Sequence, residues 1–405
     1  MKTRLHLFVC LLAALSVCTA ARADVVTDWN DVAVARLLAA RQLPPDGARA
    51  VAMVHVAMFD AINAAQPRYT SYAFKGKAPA GTSAEAAGVA AARTVLLNLY
   101  PDQSEAIEKA YAASLSSIPD DAGRSAGITL GEQVGNECIA MRANDGTSAT
   151  AAYRPVTSAG VYVPTMIPAS VVWPNVKPFF MKEPAQFRPA PPPALKSAEW
   201  AKDLNEIKQL GGQQNSARTA EQTDVGRFWG LTGVPSWNPI VRGLAASAGL
   251  SLVDNARLFA LVNMAAADSF ISVFDAKYAY NFWRPITAIR NGDMHGNSEV
   301  ARDAGWLPLI DTPMHPEYPC AHCISSTAVG TVLASVSRGR PISVTMTSPT
   351  APGVTRKWER LEDYMQEVNN ARVWAGVHYR FSTRVGSDMG RKIGDLAVRE
   401  YMKPL

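Results

Sequence analysis

The sequence predicts an all-α protein made of helical bundles. Three observations carry that expectation. Long stretches repeat apolar residues at helical spacing, as between Gly47 and Ala65, where Val51, Val54, Met58 and Ile62 share a face. Alanine, the best helix former, is abundant throughout. No segment sustains the period-two alternation of a half-buried strand.

Residues 1–23 read as a secretory signal. Lys2 and Arg4 give a positive start, Leu7 to Val17 form a short apolar core, and Ala21-Arg22-Ala23 fits a small-x-small cleavage site. The expected location is therefore secreted or periplasmic. Helices are then expected over Asp28–Arg41, Gly47–Ala65, Ser83–Tyr100, Ser104–Ile118 and Asp120–Asn144, the last ended by Asn144-Asp145-Gly146. Residues 145–195 are rich in proline and aromatics and read as an irregular excursion over the helices. Its Trp173, Phe179, Phe180 and Phe187 are too many for a free linker. Ordinary packing is the expected role, with the roof of a pocket as the alternative.

Helix is expected to resume over Ser197–Leu210, Thr219–Trp229 and Leu250–Trp283. Pro285 disfavours helical geometry at Arg284. Residues 291–320 are loop-rich. Helices are then expected from Pro319 to Gly339, over Pro352–Asn370 and over Ser382–Met402, with Ser382 as an N-cap. These elements divide into an N-terminal helical region at 24–215 and a C-terminal bundle at 216–405.

The chain of 405 residues carries a formal charge of +5, and loss of the leader removes three basic residues and no acid. A nearly neutral mature chain does not suit a general binder of nucleic acid or membrane surfaces. Beyond the leader, no run is expected to span a bilayer. Cys138, Cys320 and Cys323 remain after the leader, too few for a disulfide framework.

Three basic blocks in the last third carry the chemistry: Lys277-x6-Arg284-Pro285, Pro319-Cys320-Ala321-His322 and Arg372-x5-His378. Were 277–284 one helix, Lys277 and Arg284 would face the same way. His322 falls on the first turn of a helix, whose free amides and dipole suit an anion. It could serve there as a general acid or base. Arg372 and His378 cannot share a helical face, but Gly376 permits a bend that aims both inward. Arginine offers forked donors to an oxyanion, and neutral imidazole can be a nucleophile or a metal ligand.

Taken together and in order, the blocks resemble the shared signature of the vanadium-dependent haloperoxidases and the type 2 phosphatidic acid phosphatases. The neighbouring Asn281-Phe282-Trp283, His315-Pro316-Glu317-Tyr318 and Gly376-Val377-His378-Tyr379-Arg380-Phe381 resemble the secreted bacterial haloperoxidase-like branch. The resemblance implies a vanadate, or a phosphate in its place, bonded through its central atom to His378. It implies that Lys277, Arg284 and Arg372 hold the oxygens, that the Ala321 amide adds a hydrogen bond and that His322 moves a proton. The implied substrates are hydrogen peroxide and a halide, or a phosphomonoester attacked by His378.

The chain departs from the signature at two places: Cys320 stands where the family has serine, and Ala321 where it has glycine. A thiol is a weaker donor than a hydroxyl and is open to oxidation. These departures keep a third reading in view, a non-catalytic anion binder. Cys320 and Cys323 also form a Cys-x-x-Cys at a helix start, which could close as a disulfide switch. The alternating strands and helices of a thioredoxin-like fold are not expected.

Overall fold

The computed structural model describes residues 24–405, so the expected leader lies outside the described residues. The described residues hold thirteen α-helices and one two-stranded sheet. The first five are α1 (Val25–Ala39), α2 (Pro44–Ala65), α3 (Ala84–Leu99), α4 (Ser104–Ser116) and α5 (Ala122–Arg142). After the excursion come α6 (Ala198–Leu210), α7 (Ala220–Phe228), α8 (Asn238–Ala248) and α9 (Leu252–Tyr280). The rest are α10 (Pro285–Arg290), α11 (Ala321–Ser337), α12 (Leu361–Trp374) and α13 (Arg380–Glu400).

Capping side chains explain several starts. Asp24, Ser83, Asp121 and Ser197 each accept from first-turn amides of α1, α3, α5 and α6. Thr219 and Gln222 form a reciprocal capping box on α7.

The central helix is α9, which packs against α2, α11 and α13. Its residues from Ala256 to Lys277 are buried almost without interruption, and it joins one apolar core that extends from Val26 to Met402. By length and composition α2 and α9 are both apolar enough to cross a membrane, which corrects the sequence expectation of no such run. Both are core helices here, with the apolar window of α9 wholly buried.

Small residues let two helix pairs approach closely. A Cβ on Gly127 or Gly131 of α5 would stand 2.5 and 2.3 Å from carbonyls of Ser83 and Ala87. On α13, a Cβ on Gly386 or Gly390 would stand 2.7 and 2.3 Å from the carbonyls of Cys320 and Ile324. This seats α13 directly on the start of α11, where the second basic block lies.

The excursion is pinned to α9 by a carboxylate. Buried Asp268 accepts the backbone amides of Phe179, Phe180 and Met181 at 2.6, 2.7 and 3.0 Å. Burial pushes its carboxyl up to about 6 against the pull of those three amides. Trp173, Phe179 and Phe180 are core residues and Phe187 packs against them, so packing is the role they take.

Several sequence expectations are corrected. The segment 352–358 is strand, not helix: β1 (Val344–Ser348) and β2 (Ala351–Trp358) pair antiparallel with Val344 opposite Trp358. Only the ends of β2 are buried, so its sequence carries little alternation to read. Helix α8 was not anticipated. The last helix begins at Arg380, and Ser382 is buried within its first turn rather than capping it. The capping duty falls to a distant carboxylate, since Asp203 of α6 accepts the Phe381 amide at 2.6 Å.

Candidate active site

The first block does not lie on one helix. Helix α9 stops at Tyr280 because Asn281 turns left-handed, with φ 47° and ψ 42°. Arg284 is extended, with φ −79° and ψ 154°, as the following Pro285 demands. The turn still brings both cations to one place by a route other than shared helical phase.

Lys277 is wholly buried, and its Nζ donates to the carbonyls of Pro316 and Glu317 at 2.9 and 2.6 Å. Arg284 donates from Nε to the carbonyl of His315 and from Nη1 to that of Val377, both at 2.9 Å. Its Nη1 also stands 3.5 Å from Nε2 of His378.

Cys320 caps α11, its sulfur accepting the Cys323 amide at 3.3 Å. Ala321 and His322 therefore occupy the first two helical positions, as expected for an anion-facing helix start. His322 Nε2 donates to the Leu231 carbonyl at 3.1 Å, which leaves Nδ1 as its lone-pair nitrogen. Both Cys320 and Cys323 are buried thiols. Burial opposes ionisation of Cys320, but the Cys323 thiol and the nearby Arg372 guanidinium bring its pKa below the usual value.

The third block bends as the glycine allows. Helix α12 ends at Trp374, and Gly376 adopts φ +80°. Arg372 donates from Nη1 to the Trp229 carbonyl at 2.5 Å, while its buried Nε has no partner. His378 points inward and is 1% exposed.

Ala321, His322, Arg372 and His378 line one cavity of about 300 Å³. Its walls are largely apolar, with Pro44, Phe270, Phe274 and Met314 among them. Arg284 borders a neighbouring cavity of about 450 Å³, and both cavities share the segment Ile310, Asp311, Pro313 and Met314. Lys277 and Cys320 lie behind this wall rather than on it.

Two residues outside the three blocks belong to the site. Glu317, 0% exposed, accepts from His378 Nδ1 at 2.7 Å. His315 lines the cavity, and its Nδ1 accepts from Arg284 Nη2 at 3.0 Å. Both sit in His315-Pro316-Glu317-Tyr318, where a carboxylate amid basic blocks was the available signal. His295, on the loop after α10, packs against Trp200 and Trp283 and bonds the Ala288 carbonyl. His55 is a core histidine, bonded to Asn30 at 3.1 Å.

Burial lowers the pKa of His378, His322, His315 and Lys277 well below their ordinary values, and the crowd of cations reinforces the effect. Burial likewise brings Arg284 down to about 10 and lifts Glu317 to about 7, with Lys277 and Arg284 opposing the latter. Lys277, Arg284 and Arg372 are buried with backbone carbonyls as their main acceptors, and the buried carboxylate of Glu317 is set among them. Such an excess of buried donors, with Arg372 Nε unpartnered, fits a bound oxyanion. The donor set would suit a tetrahedral or trigonal-bipyramidal oxyanion such as phosphate or vanadate.

Comparison with known proteins places similarity in both sequence and fold. Residues 257–405 match the family described as the VCPO second helical-bundle domain. The vanadium chloroperoxidase of Curvularia inaequalis is 26% identical, the match covering 85% of this chain and 76% of that protein. A structure described as the first bacterial vanadium-dependent iodoperoxidase superposes with a TM-score of 0.80 at 23% identity, covering 94% of this chain and 97% of that one. A holo-type bacterial vanadium-dependent chloroperoxidase superposes with a TM-score of 0.66 at 16% identity, covering 94% and 93%. These similarities support a place in the superfamily of the vanadium haloperoxidases, and all three basic blocks, from Lys277 to His378, fall inside the matched second helical bundle.

Proposed function

We propose that the chain is a vanadate-dependent haloperoxidase that oxidises halide with hydrogen peroxide. The observation that carries this reading is one cavity lined by three histidines, His315, His322 and His378, and by Arg372, with His378 itself buried. Bound vanadate would supply a pentavalent Lewis acid that makes peroxide electrophilic toward halide. His378 would be its protein ligand through Nε2. Arg284, Arg372 and Lys277 would offset the charge on the oxygens, and the Ala321 amide would add a donor. Lys277 would have to turn from the carbonyls of Pro316 and Glu317 toward the cavity.

His322 would move the proton. Its Nδ1 is free to take one from peroxide, because Nε2 is committed to Leu231. A bound oxyanion would raise the pKa of His322 and His378, reversing the effect of the cations. The apolar walls restrict water around the oxidant. Export by the N-terminal signal would place this chemistry outside the cytoplasm.

Cys320 favours a second reading. Its buried thiol sits directly behind the wall, one residue before the Ala321 that lines the cavity where peroxide and hypohalous acid would be handled, which suits hydrolysis better than oxidation. In that reading His378 attacks the phosphorus of a phosphomonoester and His322 protonates the leaving alcohol. A paired assay on one preparation separates the two. Peroxide- and bromide-dependent bromination of a dye that appears only with added orthovanadate supports the haloperoxidase. Vanadate-inhibited hydrolysis of a chromogenic phosphate, without bromination, overturns it in favour of the phosphatase. Silence in both arms with intact vanadate binding leaves an anion-binding protein.

A further inference from the structure

Glu317 determines which nitrogen of His378 meets the cavity. Its Oε1 accepts two N–H groups, His378 Nδ1 at 2.7 Å and the Tyr379 amide at 3.2 Å. A backbone amide can only donate, and an ionised carboxylate has no hydrogen of its own, so with Glu317 ionised Oε1 accepts both bonds and Nδ1 carries the hydrogen. A neutral imidazole has one N–H, which leaves Nε2 with its lone pair. Nε2 in turn lies 3.5 Å from Arg284 Nη1, a group that can only donate. Both ring nitrogens are thus assigned by their neighbours.

The carboxylate is itself held at several points. The Glu317 amide donates to the Phe282 carbonyl at 2.8 Å, and the Glu317 carbonyl accepts from Lys277 at 2.6 Å. Beneath the pair, Tyr379 packs against Trp200 and Phe381 with ring centroids 4.9 and 5.2 Å apart. Neither Glu317 nor the imidazole has room to swing, as both are 1% exposed or less.

We propose that Glu317 is a positioning residue that holds His378 in its Nδ1–H tautomer and so presents the Nε2 lone pair to the central atom of the bound oxyanion. Lys277, a member of the first block, bonds the Glu317 carbonyl while the cavity holds no anion, and when an oxyanion draws it away the Phe282 carbonyl still holds the Glu317 amide. The second-sphere carboxylate orients the ligand as outer partners of metal-bound histidines do. The proposal rests on the reading that His378 bonds the central atom of vanadate.

The test uses the apo protein and two variants, Glu317→Gln and Glu317→Leu. Nitrogen-15 NMR of the imidazole, with the His378 signals assigned by their loss in His378→Gln, reads the tautomer. Calorimetry with orthovanadate and, separately, inorganic phosphate reads binding. The native protein is expected to show the Nδ1–H form. Glu317→Gln keeps an oxygen acceptor held by the Tyr379 amide, so it should retain that form and bind vanadate within about threefold of native. Glu317→Leu should lose the Nδ1–H form and weaken vanadate at least about tenfold, the loss of roughly 1.4 kcal/mol. Phosphate, held by charge rather than a bond to His378, should bind Glu317→Leu as well or better, because a buried negative charge has gone. Parallel loss of both anions, or an unchanged tautomer in Glu317→Leu, overturns the proposal. If Glu317→Leu does not fold, the native spectrum decides, since an Nε2–H form there overturns it outright. A native protein that shows Nδ1–H yet binds no vanadate refutes the haloperoxidase reading and leaves the tautomer assignment standing.

Discussion

Replacing Gly376 by alanine tests how the third block is aimed. Gly376 has φ +80°, which costs an L-residue about 1–2 kcal/mol. A Cβ there would also stand 2.3 Å from the Gly211 carbonyl oxygen and 2.9 Å from Pro308 Cβ. Relieving that crowding requires the backbone of 376–378 to move off Gly211, at about 1–3 kcal/mol more. The expected destabilisation is therefore about 2–5 kcal/mol, a large part of the roughly 5–15 kcal/mol typical of a folded protein. Because His378 is two residues on, the shift should also move its imidazole off Glu317 and weaken orthovanadate binding at least about tenfold, since misplacing a positioned group is costly. Urea unfolding and vanadate calorimetry measure the two effects. Gly249→Ala is the control, for Gly249 has φ +60° and open space, with nothing within 4 Å of an added Cβ. It should lose only the strain term, about 1–2 kcal/mol, with native binding. A Gly376→Ala protein within about 0.5 kcal/mol of native, or no less stable than Gly249→Ala, would refute the reasoning.

Other expectations follow from the site and its supports. Cys320→Ser should strengthen the N-cap of α11, tighten vanadate binding and slow inactivation by peroxide, and an unchanged peroxide half-life would show that Cys320 is not the vulnerable group. Asp268→Ala should cost about 3–5 kcal/mol in urea unfolding, because three buried amides of the excursion lose their acceptor. The apo protein should lose stability as pH falls below about 6.5, where His315, His322, His378 and His55 protonate in the unfolded chain but resist protonation when buried. Glu317 acts in the opposite sense: its raised folded value, about 7, contributes stability that is present below about 4.5 and lost as pH rises through 7. Four histidines outweigh one glutamate, so a net loss of roughly 2–3 kcal/mol between pH 6.5 and 5.5 is expected by denaturant unfolding, and a flat profile would contradict it.

The helices were legible because their signals are local. Capping residues such as Ser83, Ser197 and Thr219, and periodic apolar faces as on α2, are properties of a few neighbouring residues. The hairpin and the start of α13 were not, because what decides them is remote. Asp203 satisfies the Phe381 amide from α6, and β2 gains its pairing from β1 with little burial of its own. At the site, side-chain chemistry and spacing were enough to gather Lys277, Arg284, His322, Arg372 and His378 in one region. The route was misread at residues 281–283, where helix was expected to continue and a left-handed Asn281 ends it instead, while Arg284 is extended as Pro285 led one to expect. The roles of Glu317 and His315 escaped because only the folded chain shows which histidine and which arginine they face.

The acceptors for Arg372 and His322 come from Trp229 and Leu231, on a short loop that lies outside the matched bundle. Leu43, Pro44 and Pro45 close the cavity from still further away in the chain. An insertion or deletion within 229–231 would therefore silence the site while every residue of the three blocks survived intact. Relatives that keep the blocks but change the length of this loop are where lost or redirected chemistry should be sought. The same dependence limits transplantation: residues 257–405 grafted onto another scaffold would bring the cations without the carbonyls that aim them.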